Sequence, residues 1–436
     1  MQKLRGHDLL FVGFTLFSMF FGAGNLIFPP FLGAQAGTNA WFAFIGFAAS
    51  AIGLPVLGVI AIARAGGLST LAGRVHPRFA AVFTMLCYLS IGPCLAIPRT
   101  ASTSFEMFAP LVGGGAAKQL IYSVVFFAAA FLVALKPEKL TDRLGKILCP
   151  TLIVLILVLF GACLIHPVSA QYGAPSAAYA SLPAAEGFIA GYQTMDTIAA
   201  LNFGAVIALN VRAKGVSEDR QVVRGTIRAG WIAGAVLLAV YAMLTHAGAL
   251  SGAAFPGGET GADTLTSLAH ALFGTPGQVL LAAIFLIACL NTCIGLISCV
   301  SEYFHGLFPR IPYAAFAAFF ALASTVVSNI GLAGIIRLST PVLNAIYPAA
   351  IVLIALSFVP HLEQHRWVYP LAAGFTCVQS VVAALAQSGL RIPGIAALLD
   401  KLPLAALGFG WVAPALAGLA LGLFLSLRTE KLEKTK

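Results

Sequence analysis

Charge is scarce in this chain: Asp, Glu, Lys and Arg make up 9% of its 436 residues, against 60% hydrophobic and a mean hydropathy of +0.95. A soluble globular protein carries about a quarter of its residues charged, so this composition excludes one and describes a polytopic membrane protein. No HExxH or GxSxG occurs, and the eight histidines fall in loops or toward the ends of apolar runs, so there is no catalytic constellation and an enzyme is excluded. The inner loops 137–146 and 211–228 are too short for a folded soluble domain. No disulfide is expected, because all eight cysteines lie in apolar segments, where Cys behaves as a small hydrophobe. The first apolar run is interrupted, is followed by many more and lacks a small-residue cleavage site, so it reads as a retained span with the mature chain beginning near Met1. The net charge of +10 implies no nucleic acid, since the basic residues collect in short loops.

What the chain has in quantity is apolar runs of membrane-spanning length. Twelve spans are predicted, at about 8–35, 40–63, 79–108, 118–136, 147–166, 188–210, 229–250, 276–304, 314–330, 335–359, 367–388 and 404–427. With the N-terminus inside, 20 of the 25 basic residues fall on inner flanks, from Lys3 and Arg5 through Lys139 and Arg310 to Lys436. The outer side holds Lys118, Arg391 and Lys401, and the bias predicts cytoplasmic termini. Of the two long outer connections, 167–187 and 251–275, the second contains an apolar pattern from Leu265 to Phe273 that is either a lid helix or a passive connector.

Two spans carry helix breakers. In the first, Met19 to Phe31 reads MFFGAGNLIFPPF: Gly22 and Gly24 lower the cost of non-helical backbone, and Pro29 and Pro30 remove two N–H donors. An unsatisfied backbone group in hydrocarbon costs several kcal/mol, so a break there must face protein, a water-filled cavity or a bound solute. The sixth span repeats the pattern, with small and polar residues at its centre and Asn202 and Gly204 two positions apart. The two breaks lie five spans apart. Because five is odd, a repeat of spans one to five by spans six to ten is inverted in the membrane, and paired breaks in corresponding positions point to a transporter site. The competing reading is that small residues merely ease helix packing.

The stretches FFGAGNLIFPP, AIPRTASTSFE from Ala96, YQTMDTIAALNFG from Tyr192 and ACLNTCIGLISCVSEYF from Ala288 resemble those of the bacterial branched-chain amino acid transport system II carriers, the BrnQ-type cation symporters. The resemblance runs over essentially the whole chain. It implies an all-α polytopic membrane protein of twelve transmembrane helices with the LeuT-type five-plus-five inverted repeat and broken helices one and six. The expected organisation is a single membrane domain over 1–436, with repeat one at about 8–166, repeat two at about 188–359 and two extra helices at about 367–427.

The resemblance also implies site residues. Amides at Gly22, Ala23, Gly24 and Asn25 would meet the substrate carboxylate. Na⁺ would bind the carbonyls of Ser18, Phe21 and Ala288 and the side-chain oxygens of Asn291 and Thr292, Asn291 departing from the hydroxyl usual in the superfamily. A second ion would use Asn25 with Thr197. Phe20, Phe21, Ile198 and Leu201, with the third span near Gly92 and Pro93, would line an apolar pocket suited to Leu, Ile or Val.

Intramembrane charges need separate reasons, because each is expensive in the bilayer. Asp196 would attract the substrate ammonium, take part in cation or proton coupling, or hold the broken helix. Arg99 and Glu106, seven residues apart on one face, are read as members of structural or gating ion pairs with partners on other helices, direct substrate contact being the alternative. Glu302 is assigned to an inner gate or to interfacial solvation, and Arg337 to a gate or to snorkelling.

The reading that results is a secondary active transporter importing branched-chain amino acids across the bacterial inner membrane by Na⁺ symport and alternating access. The alternatives are a proton as coupling ion, another solute on the same fold, or a channel, which would not call for paired breaks. A non-transporting sensor would need an output domain, which the short termini do not supply. The expected partners are the small-molecule substrate and membrane lipid, with no organic cofactor and no obligate protein partner.

Overall fold

All the regular structure among the described residues is helical, as a chain that must satisfy its own N–H and C=O groups in hydrocarbon requires. The computed structural model describes residues 5–137, 141–390, 399 and 401–434. Lys3, Lys139, Arg391 and Lys436, four of the basic residues in the charge tally, lie outside them. In chain order the helices are α1 (Gly6–Phe20), α2 (Ala23–Ala36), α3 (Ala40–Ala48), α4 (Leu54–Ala65), α5 (Leu68–Gly73), α6 (Pro77–Leu89), α7 (Ala96–Val112), α8 (Ala116–Ala134), α9 (Cys149–Ile165) and α10 (Ala177–Ser181). They continue as α11 (Pro183–Tyr192), α12 (Asp196–Ala213), α13 (Asp219–Ala254), α14 (Gly261–Phe273), α15 (Thr275–Leu307), α16 (Tyr313–Ser328), α17 (Leu332–Ser357), α18 (Val368–Gln387) and α19 (Val412–Lys434).

Among the described residues nine helical stretches are long and apolar enough to cross a membrane, or ten when α11 and α12, bent by 46°, are taken as one span. Length explains the distance from twelve. The stretch Ala23–Ala65 runs for 43 residues, which at about 1.5 Å per residue is enough for two crossings, and it turns at Gly37, whose φ is +50°. The apolar helices α1 and α16 have only 15 and 16 residues.

The chain divides into two compact units, Met1–Val59 with Leu89–Ile336, and Ile60–Tyr88 with Arg337–Lys436. In the first, glycines let backbones touch. A Cβ on Gly33 of α2 would lie 2.0 Å from the Thr245 carbonyl of α13, and one on Gly248 of α13 would lie 2.0 Å from the Pro30 carbonyl of α2. The α3–α11 pair uses the same device, since a Cβ on Gly46 would sit 1.8 Å from the Ala184 carbonyl and one on Gly187 would sit 2.0 Å from the Ala43 carbonyl. Without a hydrophobic drive between helices in lipid, such close backbone approach is a main source of packing energy. In the second unit the Gly418–Gly422 stripe of α19 serves the same purpose within the chain: its Cβ positions would meet the Leu371 carbonyl at 2.4 Å and the Val368 Cα at 2.7 Å on α18.

The outer connection 251–275 does contain a helix. α14 begins with a capping box in which Thr260 Oγ1 accepts from the Asp263 N–H at 3.2 Å and Asp263 Oδ2 accepts from the Thr260 N–H at 3.0 Å. Gly261 seats it against the Ile27 carbonyl of α2.

Both breaks differ in detail from expectation. In the first span only Phe21 and Gly22 leave the helix, while Ala23, Gly24 and Asn25 already belong to α2, and Pro29 and Pro30 ride inside it. The prolines interrupt nothing; they free the carbonyls of Asn25 and Leu26 from i+4 partners. In the sixth span the break falls at Gln193–Met195, and Asn202 and Gly204 lie within continuous helix. Met195 adopts left-handed backbone, φ +67° and ψ +5°, an unusual conformation for a non-glycine residue. A third irregularity appears between α6 and α7: Ser90–Cys94 forms a wide π-type turn in which Gly92 is non-helical, at φ −84° and ψ −134°.

Candidate functional site

The two breaks meet across Arg99. Its Nη1 donates to the Gln193 carbonyl at 2.8 Å and its Nη2 to the Thr194 carbonyl at 3.4 Å, supplying donors to carbonyls that the end of α11 leaves without helical partners. The guanidinium also stands 5.9 Å from the centre of the Phe28 ring of α2. Gly24 makes this approach possible, because a Cβ there would lie 2.7 Å from Arg99 Nη2 and 3.2 Å from the Thr194 Cα. One side chain of α7 thus touches both interrupted spans. Glu106, two turns further along α7, is only half-buried.

A second bridge is made by side chains alone. Asp196, the first residue of α12 and 3% exposed, accepts at Oδ2 from Asn25 Nδ2 of α2 and from the Tyr241 hydroxyl of α13, the latter at 3.1 Å. Asn25 Nδ2 also contacts the Tyr241 hydroxyl, and Asn25 Oδ1 accepts from the Gly22 N–H at 3.3 Å, which caps the start of α2. The Tyr241 ring packs against Phe21 at 6.2 Å and Phe47 at 5.6 Å. This buried trio joins the first, sixth and seventh spans. Sequence reasoning missed Tyr241; it is one aromatic in a long apolar helix, and no local pattern distinguishes it.

The third contact joins the first span to α15. Thr292 Oγ1 donates to the Ser18 carbonyl at 3.3 Å, and Gly22 is packed so closely that a Cβ would fall 2.5 Å from that hydroxyl. Ala288 lies one turn before Thr292 on the same helix, and Asn291 beside it is fully buried, with neither amide atom in a hydrogen bond. A buried, unpartnered amide next to a hydroxyl and a carbonyl freed at a helix end is a set of hard oxygen donors of the kind Na⁺ takes. Among the described residues no group of three or more His, Cys, Asp or Glu could hold a metal ion.

A cavity of about 20 Å³ lies between these contacts. Its walls include Phe20, Gly22, Ala23, Gly24 and Asn25 from the first span, Arg99 and Thr100 from α7, Asp196, Ala199 and Phe203 from α12, and Thr292 from α15. Ile91, at the irregular turn of the third span, completes a side. Phe21, Thr197, Ile198 and Leu201 do not line it. Phe21 stacks on Phe17 at 5.1 Å, Thr197 Oγ1 points to the Ser50 carbonyl at 3.4 Å, and Ile198 and Leu201 are buried in helix contacts. On α12 the wall residues Asp196, Ala199 and Phe203 follow the i, i+3, i+7 spacing of one helix face, and Ile198 and Leu201 fall on other faces. The space suits about one water, so any larger solute enters only as the walls separate. Phe20 and Phe203, with ring centres 5.3 Å apart, pinch one side of it. Glu302, half-buried near the end of α15, and Arg337, exposed on α17, are not among the lining residues.

Comparison with known proteins gives a consistent picture. The chain matches the family described as branched-chain amino acid transport protein over residues 5–429. It is 41% identical over 427 residues to the branched-chain amino acid transport system 2 carrier protein of Pseudomonas aeruginosa, covering 97% of this chain and 96% of that one. It is 40% identical over 433 residues to the branched-chain amino acid permease BraB of Bacillus subtilis, covering 98% and 97%. Among solved structures, Mhp1, a nucleobase–cation-symport-1 family transporter in a closed conformation with bromovinylhydantoin bound, aligns with a TM-score of 0.66 over 96% of this chain and 92% of that one. At 13% identity that likeness is one of fold alone.

Proposed function

The chain belongs to the branched-chain amino acid transport protein family, whose members are membrane transporters and not enzymes, and from this we propose that it imports leucine, isoleucine or valine by Na⁺ symport. The observation that carries the reading is the meeting of both helix breaks on one small cavity, with Arg99 and Asp196 each touching both interrupted spans. The first-turn amides of α2 at Ala23 and Gly24 have no intrahelical acceptor and border the cavity, which suits them to the substrate carboxylate. The ammonium would face Asp196, and Phe20, Ile91, Ala199 and Phe203 offer apolar contacts to a branched side chain. Pocket packing of this kind discriminates by only about 1–3 kcal/mol per methylene, which suits a site shared by all three amino acids.

Na⁺ would lie between α15 and the end of α1, on the carbonyls of Ser18, Phe21 and Ala288 and the side-chain oxygens of Asn291 and Thr292. It would tie the two helices together and so favour the substrate-loaded arrangement; without such a difference in affinity between conformations the ion would draw nothing in. The spans then number twelve in an inverted five-plus-five repeat within one membrane domain. Both termini are cytoplasmic, by the distribution of Lys and Arg, and the bundle rocks to expose the cavity to each side of the bacterial inner membrane in turn. A second reading, H⁺ in place of Na⁺, is favoured by one observation: Asp196 is a buried carboxylate whose side-chain partners Asn25 and Tyr241 are neutral.

Thr292→Ala tests the cation site. Loss of one oxygen donor to a charged ligand is worth about 1.5 kcal/mol, so the Na⁺ concentration giving half-maximal leucine uptake is expected to rise roughly tenfold. Uptake measured across a Na⁺ titration checks this. An unchanged Na⁺ activation curve contradicts the assignment.

A further inference from the structure

A second feature lies away from the substrate cavity. A hollow of about 540 Å³ opens beside the irregular turn at Ser90–Cys94, within the size range of small-molecule sites. Pro93 and Cys94 form one wall, Phe304 and Phe308 at the end of α15 a second, and Phe316 and Phe320 of α16 a third. Among the described residues every lining side chain is apolar. The aromatic walls are already packed on one another, with Phe304 5.2 Å from Phe320 and 5.9 Å from Phe316, so the hollow does not depend on side chains swinging aside. Its origin is backbone: where Gly92 leaves the helix, α6 ends and no regular turn fills the space beside α16.

The face of α16 around the hollow is open and wholly apolar, with Phe319 61%, Leu322 69% and Val326 74% exposed. In a membrane protein such a face meets hydrocarbon, not water. A cation lies beside the lining residues in sequence. Arg310 stands exposed in the turn between α15 and α16, flanked in sequence by the lining residues Phe308 and Ile311, and the turn is pinned by His305 Nδ1 donating to the Ile311 carbonyl at 2.8 Å. The nearest acid in sequence, Glu302, is two residues before Phe304, about 200° round the helix and so on the opposite side of α15.

We propose that this hollow is a binding site for an anionic phospholipid, an acyl chain lying against the phenylalanines and the phosphate held by Arg310. The hollow recognises apolar length and the guanidinium recognises phosphate charge, and Arg310 lies in the same short turn as the lining residues Phe308 and Ile311.

The test uses the full chain in liposomes containing a trace of phosphatidylglycerol or phosphatidylcholine bearing a photoactivatable acyl chain, with the cross-linked peptides identified by mass spectrometry. Exposed apolar residues of α8, such as Val125 and Leu132, serve as an internal reference for general lipid contact. The phosphatidylglycerol probe is expected to label the peptides of α16 and of 304–311 at least several-fold more than the phosphatidylcholine probe, with α8 labelled equally by both. Arg310→Gln, a change on an exposed turn, is expected to remove the headgroup preference. Ala323→Trp, which fills the hollow, is expected to lose groove labelling while α8 labelling is unchanged. Equal labelling by both probes, a preference that survives Arg310→Gln, or groove labelling that falls as protein density rises, as a second copy covering the face would cause, overturns the proposal.

Discussion

Asp196→Ala is expected to abolish leucine uptake, by about 100-fold or more, in protein that still reaches the membrane. The carboxylate is the common acceptor for Asn25 Nδ2 and the Tyr241 hydroxyl and is itself buried. Removing it takes away the acceptor that both donors share, a loss of about 1–3 kcal/mol for a buried hydrogen bond, and the cost falls on the contact that holds the first break against the sixth. Asp196→Asn keeps the shape and one acceptor oxygen but removes the charge. It is expected to purify as well as the parent and to raise the leucine KM about tenfold, since charge-assisted hydrogen bonds are about twice as strong as neutral ones. Uptake kinetics with gel-filtration profiles on both variants check this. Asn uptake equal to the parent's would show that Asp196 only holds the helices together.

Arg99→Ala is expected to lower uptake about as severely, for a different reason. The guanidinium supplies donors to two carbonyls at the α11–α12 break, and bonds from a charged donor contribute about 1.5–3 kcal/mol. Without them the left-handed turn at Met195 loses what offsets its backbone cost, and the break relaxes. Arg99→Lys has a single ammonium and cannot span both carbonyls, so it is expected to recover only part of the loss. Gly24→Ala should imitate the defect from the other side, because its methyl would occupy space 2.7 Å from Arg99 Nη2. Uptake rates of the three variants, normalised to protein in the membrane, check the order Gly24→Ala and Arg99→Lys above Arg99→Ala.

Much of the site was legible because expensive residues announce themselves. Asn25 in an apolar run, and Asp196 and Arg99 inside spans, are rare enough in hydrocarbon to demand a reason, and the structure brings all three, with Gly22, to one cavity. The position of the second break was not legible. Asn202 and Gly204 look like breakers, yet the helix runs through them. Asn202 Nδ2 bonds back to the Ile198 carbonyl at 2.8 Å, so its amide finds a partner within the helix. The real break rests on Met195, a residue with no intrinsic taste for positive φ, held there by an arginine ninety-odd positions away in sequence. Tyr241 is hidden for the same reason, its role set by what it meets. Pro29 and Pro30 misled in the opposite direction, since a helix in a membrane bundle tolerates proline where the freed carbonyls face protein. The role given to Arg99 changes with this geometry: its guanidinium lies on backbone carbonyls of the sixth span.

The most direct test is uptake of radiolabelled leucine into proteoliposomes holding the purified chain, driven by an imposed inward Na⁺ gradient and compared with a K⁺ gradient and with a pH gradient alone. Saturable accumulation that requires inward Na⁺ is the expected result. Accumulation driven by the pH gradient alone would contradict Na⁺ coupling and move the coupling step to Asp196, and absence of leucine accumulation under every gradient would contradict the substrate itself.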